Sequence, residues 1–341
     1  MIILGIETSC DETAAAVVSE DKKIYAHICR TQLDSIPYGG VVPEIAARQH
    51  LEVLPPLVKQ TMDEAGCSWE DLAGIAVTAG PGLIGGVMVG TTFAKAMAMA
   101  LEKPLIAVNH LEAHALTVRL THTVEFPYLM WLISGGHCQL LVVRGVGQYQ
   151  CLGETRDDAV GEAFDKVARL LDLGFPGGPK VEGIARAGDP KRFALPRPML
   201  HHAGCDVSFS GLKTAVRTLQ EQGAIPDAQA VADVCAGFQH AVAEVLSAKA
   251  QRALQQCREH QWPITALVVA GGAGANETIR GALVGVAAKA NLPFIAPPIP
   301  LCTDNGVMIA WAGIERARLG LWDAVDFAPR PRWPLAAMDA K

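Results

Sequence analysis

The sequence predicts an α/β protein of two lobes. Three observations carry that reading. Apolar β-type runs that end in a glycine-rich or small polar turn occur in both halves of the chain. A strand, helix, strand unit lies between them, which calls for parallel strands with helices on the sheet faces. Finally, 50% of the 341 residues are hydrophobic and only 19% are charged, enough apolar material for two cores.

The elements follow in order. Ile2 to Ile6 meets Glu7-Thr8-Ser9-Cys10-Asp11-Glu12-Thr13 and resumes from Ala14 to Val18, a strand, turn, strand pattern. A helix is expected from Pro43 to Ala65. Ile75 to Thr78 then runs into Ala79-Gly80-Pro81-Gly82-Leu83-Ile84-Gly85-Gly86, an Ala/Met-rich helix reaching about Leu101, and a strand from Leu105 to Val108. Leu129 to Ile133, Ser134-Gly135-Gly136-His137 and Cys138 to Val143 repeat the opening hairpin. Helices are expected around Gly161 to Leu171 and Ala228 to Cys257. Ala266 to Ala270 ends in Gly271-Gly272-Ala273-Gly274-Ala275-Asn276 and leads into a helix from Glu277, and a last helix spans Asn305 to Leu319. The duplicated hairpin predicts pseudo-twofold lobes facing each other across a cleft. Residues 1–108 with 304–341 form the first, and 109–303 the second.

Composition excludes several classes. A net charge of −6 gives no global attraction to nucleic acid, so any such contact must be local. One stretch qualifies, Lys180, Arg186, Lys191, Arg192 and Arg197, although a solvated loop explains it equally well. The nine cysteines are odd in number and contain no C-x-x-C pair, which is reduced, cytoplasmic usage. Met1 to Ile6 meets Glu7 too early for a signal segment and reads as a buried strand. No apolar run approaches the length of a membrane span.

His110-Leu111-Glu112-Ala113-His114 sets two imidazoles one helical turn apart, where both can share a cation. It differs from the H-E-x-x-H zinc protease signature, whose glutamate directly follows the first histidine. Here Glu112 stands at i+2, about 200° around the helix, and points away from the shared face. Two imidazoles rarely complete a site. Asp304, His137 and Cys138 compete for the third position; Asp304 sits at a helix start, where N-capping is the ordinary role, and His137 could equally contact phosphate. His50, His201, His202 and His240 default to packing or surface roles.

Glycine turns after strands let backbone N–H groups approach phosphate oxygens. Ser134-Gly135-Gly136 and Gly271-Gly272-Ala273-Gly274 both fit, although tight turns need glycine for steric reasons alone. Two such turns, with Glu7, Asp11 and Glu12 in an acidic third, predict a nucleotide between the lobes and carboxylates near its phosphates or a bound metal. Asp158, Glu162 and Asp165 fall on one helical face, and the Pro176-Gly177-Gly178-Pro179 turn should bring backbone close to it, a setting that suits a ribose.

Several of these motifs together closely resemble the bacterial TsaD family. They are Gly5 to Thr13, Thr78 to Leu83, His110 to His114, Ser134 to His137, Gly161 to Lys166, Phe209-Ser210-Gly211-Leu212-Lys213 and Cys302 to Gly306. The resemblance runs from Ile3 to about Trp333. It implies the fold of actin, sugar kinases and Hsp70. It also implies transfer of a threonylcarbamoyl group from threonylcarbamoyl-AMP to the N6 amine of the adenosine beside the anticodon, in tRNAs reading codons that begin with adenine. AMP is released. By the same resemblance His110, His114 and Asp304 hold the metal, iron as a rule and zinc by ligand type. Leu132, Ile133, Ser134, Gly135, Gly136, Asp165, Gly178 and Asn276 bind the adenylate, and Glu182 adds a ribose contact. The implied partners are tRNA, a paralogous TsaB-type dimerisation partner and a TsaE-type ATPase; without them a homodimer and a monomer are both open to the chain. Cys138 stands where the family commonly has threonine, and Ala273-Gly274 where Val-Ser is usual. Both changes are to small residues and touch fine contacts.

Three rival readings share parts of the pattern. A metal-dependent glycoprotease uses the same histidines but lacks a correctly placed base. A non-catalytic Hsp70-like nucleotide switch, or a sugar kinase, is compatible with the fold.

Overall fold

The computed structural model describes residues 1–32 and 41–338. The chain forms two compact units, Met1–Thr123 with Val146–Gln148 and Thr303–Lys341, and Val124–Gly145 with Tyr149–Cys302.

The first unit contains β1 (Ile2–Glu7), β2 (Glu12–Ser19), β3 (Ile24–Thr31), α1 (Pro43–Ala65), β4 (Gly74–Gly80), α2 (Ile84–Ala100), β5 (Leu105–Asn109) and α3 (His110–Thr121), completed by the C-terminal α9 (Gly306–Ala317). Its sheet has the order β3-β2-β1-β4-β5. β1 pairs antiparallel with β2, Ile2 opposite Ser19 and Glu7 opposite Ala14, and parallel with β4. β1, β4 and the edge strand β5 are buried on both faces, so they read as continuous apolar runs rather than alternations. Leu4, Ile6, Val17, Ile75 and Val77 join the core that α1 and α2 cover. The opposite face carries α9, which lies flush on the sheet. A Cβ on Gly5 would come within 2.3 Å of the Ala310 nitrogen, and one on Gly306 within 2.6 Å of the Ala15 backbone. No side chain fits at either position.

The second unit repeats that plan. It contains β6 (Tyr128–Ile133), β7 (Cys138–Gly145), β8 (Gln148–Glu154), α4 (Val160–Leu170), α5 (Gly177–Ala185), α6 (Ser210–Glu221), α7 (Ala228–Glu259), β9 (Leu267–Ala270), α8 (Glu277–Lys289) and β10 (Phe294–Ile295). Its sheet order, β10-β9-β6-β7-β8, again places the first strand centrally, antiparallel to the second and parallel to the fourth. The core gathers Trp131, whose indole N–H donates to the Leu246 carbonyl (3.2 Å), and the edge-to-face pair Phe164 and Phe238.

Two boundaries differ from the sequence expectation. The first unit continues through α3 to Thr123 instead of ending at 108, because α3 is buried almost throughout and packs on α9. Pro176 to Pro179 opens a helix, α5, where a turn was expected. Among the described residues, no helix is long and apolar enough to cross a membrane.

Candidate functional site

Asn109 ends β5 and starts α3 in one step. Its Oδ1 accepts from the backbone N–H of Leu111 (2.9 Å) and Glu112 (3.3 Å), and its Nδ2 donates to the Trp333 carbonyl (2.9 Å). The cap fixes His110 as the first helical residue and so puts His114 on the same face one turn later. Their rings meet edge to face with centroids 4.8 Å apart.

Asp304, just ahead of α9, faces both rings. Its Oδ1 lies 3.0 Å from His114 Nε2 and 3.4 Å from His110 Nε2. The cap of α9 is Asn305 instead, whose Oδ1 accepts from the Met308 N–H (2.8 Å). Asp304 is thereby released from the capping role its position suggested. Ligand atoms about 2.1 Å from a shared ion, at tetrahedral or octahedral angles, stand about 3.0–3.4 Å from one another. Asp304 keeps that spacing to both imidazoles, and the three ligand atoms all lie within 4.8 Å of one another. By chemistry, two imidazoles and one carboxylate suit a divalent cation with positions left for other ligands. His137 and Cys138 are not members of this cluster.

Behind the cluster stands Glu7, at the end of β1 and fully buried. Its Oε2 lies 3.0 Å from His110 Nδ1 and accepts from the Thr78 hydroxyl (2.5 Å), while its Oε1 accepts from the Ser9 N–H (2.5 Å). Ser9 Oγ also reaches His110 Nδ1 (3.2 Å). A carboxylate on Nδ1 fixes the ring and leaves Nε2 as the donor toward the shared site. Burial disfavours charge on all these groups, but attraction prevails. Burial lowers His110 while Asp304 and Glu7 raise it, and the net position is well above the ordinary histidine value. Burial raises Asp304 and Glu7, yet His110 holds both below the usual carboxylate range. Glu12 moves the other way: burial, then Asp304 and Asp11, push its carboxyl up to about 10.

The Glu7 link is absent from the sequence reading, which placed Glu7, Asp11 and Glu12 near phosphates or metal. Its signal was a carboxylate closing a wholly apolar strand. Glu112 does turn away from the histidine face: its Oε2 accepts from Arg316 (3.1 Å) and its Oε1 from the Gly147 N–H (2.8 Å). His50 has the packing role, bridging the Thr13 hydroxyl (2.8 Å) and the Cys10 carbonyl (3.0 Å).

The second unit gathers the other candidates. Leu132 and Ile133 end β6, buried, and the Ser134 carbonyl accepts from the Gly161 N–H at the start of α4 (3.2 Å). Asp165 of α4 accepts from the Gly177 N–H (2.7 Å), one residue before Gly178. Glu182 accepts from the Glu277 N–H (2.7 Å), and Asn276 caps α8 through Ile279 (3.0 Å) while its amide donates to Gln239 (3.2 Å). A Cβ on Gly135, Gly136 or Gly178 would meet no atom within 4 Å, so packing inside the chain does not require glycine there. At Gly271, by contrast, φ is +91° and a Cβ would fall 2.5 Å from the Ile133 carbonyl oxygen.

The expected acidic grouping does not form. Asp158, Glu162 and Asp165 make no single acidic face: Asp158 precedes the helix, Lys166 bridges Asp158 and Glu162 at 2.6 Å each, and Asp165 turns to Gly177. The basic stretch is largely neutralised, Arg186 by Glu277 (3.5 Å), Arg192 by Asp233 (2.6 Å) and Arg197 by Glu244 (2.5 Å).

A family profile described as TsaD, tRNA N6-adenosine threonylcarbamoyltransferase, matches residues 23–311. Proteins of that name from Paramagnetospirillum magneticum and Rhodospirillum rubrum are each 56% identical, over 98% of this chain and 97% and 94% of theirs. Among solved structures, HypF from T. kodakarensis superposes with a TM-score of 0.62 at 16% identity, over 93% of this chain and 48% of that one. Component A of (R)-2-hydroxyglutaryl-CoA dehydratase from Acidaminococcus fermentans gives 0.52 at 14%, over 93% and 99%. The structural matches show the actin, sugar-kinase and Hsp70 type of fold, and the sequence matches show that the chain belongs to the TsaD family of tRNA N6-adenosine threonylcarbamoyltransferases.

Proposed function

We propose that the chain transfers the threonylcarbamoyl group of threonylcarbamoyl-AMP to the N6 amine of the adenosine beside the anticodon, in tRNAs reading codons that begin with adenine, and releases AMP. The observation that carries this reading, beside the family, is the His110, His114 and Asp304 cluster with Glu7 behind it. Attack by the amine forms a C–N bond at the carbamoyl carbon, the bond to the adenylate phosphate oxygen breaks, and the amine gives up a proton. Negative charge develops on the carbamoyl oxygen and the departing phosphate. His110, His114 and Asp304 would hold a divalent cation, which would supply Lewis acidity for that charge. Two imidazoles and one carboxylate with open positions are a donor set of Fe(II), our first choice; Zn(II) also accepts it. Ser134, Gly135 and Gly136 offer amides to the phosphate from an uncrowded turn, with Leu132 and Ile133 beneath them. Asp165, Gly178, Glu182 and Asn276 complete the adenylate site, and Asp11 and Glu12 border the metal cluster. The working place is the cytoplasm, with a TsaB-type partner and a TsaE-type ATPase.

The protease reading is not favoured, because Glu112 is buried against Arg316 and cannot serve as a base. The test is the double substitution His110→Ala with His114→Ala in a reconstituted reaction, read by mass spectrometry of tRNA nucleosides. Modification should disappear. Near-normal turnover by a folded, metal-free variant would sink the mechanism.

A further inference from the structure

A groove beside α7 and α8 in the second unit encloses about 660 Å³. Arg252, Arg258, Lys289 and His201 line it, with Gln251 and Gln255 between them, and no carboxylate does so among the described residues. Arg192, Arg197 and Arg217 of the same unit, by contrast, each contact an acidic partner. Glu259, one turn further along α7, is held by Gln255 (3.0 Å) and does not line the groove.

The positive charge also has support behind the wall. Arg252 donates to the carbonyls of His202 and Gly204, and the fully buried Lys249 donates to the same two at 3.0 and 3.1 Å. Carbonyls satisfy the donors without cancelling the charge, so two cations add their field at one place. Burial and then Arg252 depress the Lys249 ammonium, which registers that crowding. A basic residue in a helix's last turn complements the helix dipole, and this accounts for Arg258 on α7 and Lys289 on α8 taken singly. It does not account for both facing one groove together with Arg252.

We infer that this groove seats the phosphodiester backbone of the tRNA. The inference rests on the reaction proposed above. The Gln251 amide suits a phosphate or ribose oxygen, and a local patch of this kind is what a chain of net charge −6 requires to hold a polyanion.

The test uses the full chain with its partner proteins and an unmodified tRNA transcript, with affinity measured from about 50 to about 200 mM salt. Arg258→Ala with Lys289→Ala should reduce the slope of log affinity against log salt by about 1.8 and weaken binding at least about tenfold. Arg258→Lys with Lys289→Arg, which keeps both charges, should retain most of the slope. Arg217→Ala, on a different helix, should leave it unchanged. An unaltered slope in the charge-removed variant overturns the surface and leaves the reaction standing. So does an equal loss in the charge-retaining variant or in Arg217→Ala. Salt-independent tRNA binding by the parent also overturns the surface, whereas failure of the parent to modify the transcript contradicts the reaction itself.

Discussion

Glu7 shows how a single side chain can set the donor properties of a site it does not occupy. Its carboxylate holds His110 Nδ1 at 3.0 Å and is itself held by Thr78 and Ser9, so the imidazole has one orientation available. Removing a partner of this kind typically weakens metal binding about 10- to 100-fold. Glu7→Gln should therefore lower cation affinity about tenfold in competition with a chromophoric chelator, and an unchanged affinity would contradict the role. Glu112 illustrates the opposite case, a residue inside the metal motif whose work is structural. It is fully buried and ion-paired with Arg316 while accepting from Gly147. Breaking one side of a buried pair costs about 3–5 kcal/mol, because the remaining charge is left without compensation. Glu112→Ala should lower the urea midpoint accordingly, yet metal affinity per folded molecule should stay at the parental value. A loss of activity greater than the loss of folded protein would make Glu112 a participant after all. The sequence alone gave the direction of Glu112 through helical periodicity, but its partner Arg316 lies about two hundred positions away and no local pattern points to it.

At the scale of elements, short-range signals predicted much and long-range ones little. Both hairpins, the βαβ unit, and helices α1, α4, α7 and α9 were readable from apolar periodicity and turn residues. β3 and β8, half-exposed outer strands, lack a continuous apolar run, and the glycines and proline at the head of α5 mimic a turn. The start of α6 depends on a residue outside it. Asp157 accepts from the Phe209 N–H (2.8 Å) and from both the N–H and hydroxyl of Ser210 (3.2 and 2.8 Å), so the loop after β8 caps α6 across fifty positions. Burial opposes ionisation of Asp157, but the hydrogen bonds from Ser208, Phe209 and Ser210 outweigh it and hold the carboxyl below its ordinary range. Asp157→Ala should cost about 1 kcal/mol at neutral pH, the usual worth of an acidic cap. The sign of the pH dependence follows from the depressed value. The stabilisation is complete above the unfolded carboxylate range near 4 and is lost as pH falls through the lower folded value. Parent and variant should therefore differ in urea midpoint at pH 7 and converge toward pH 2; a gap that persists there would mean the contribution is packing.

In the molecule as a whole, the two chemistries fall in separate units. The residues proposed to hold the metal, His110, His114 and Asp304, all belong to the first, and the turns proposed for the adenylate all belong to the second. The sequence could pair His110 with His114 because they share a helix. Residue spacing offered Asp304 only as one of several third ligands, since its approach depends on α9 lying flush against Gly5; the family resemblance singled it out. This partition predicts separable responses to two simple ligands. A divalent cation at about one hundred times its dissociation constant stabilises the state that binds it by about 2.7 kcal/mol. Hydrogen exchange should then slow by up to about 100-fold at the most protected amides of the first unit, above all in 109–115 and 303–308. AMP should protect 132–136, 161–165 and 276–279 in the second unit and leave the metal helix at its starting rate. Each ligand is tested alone and then with the other present. Local protection in the unit that carries its residues supports the assignment of both sites. Protection by AMP confined to the first unit would remove the glycine turns from the adenylate site. Equal slowing of both units by the cation alone would show that they open as one cooperative body, and that the metal stabilises the whole chain rather than the unit that holds it.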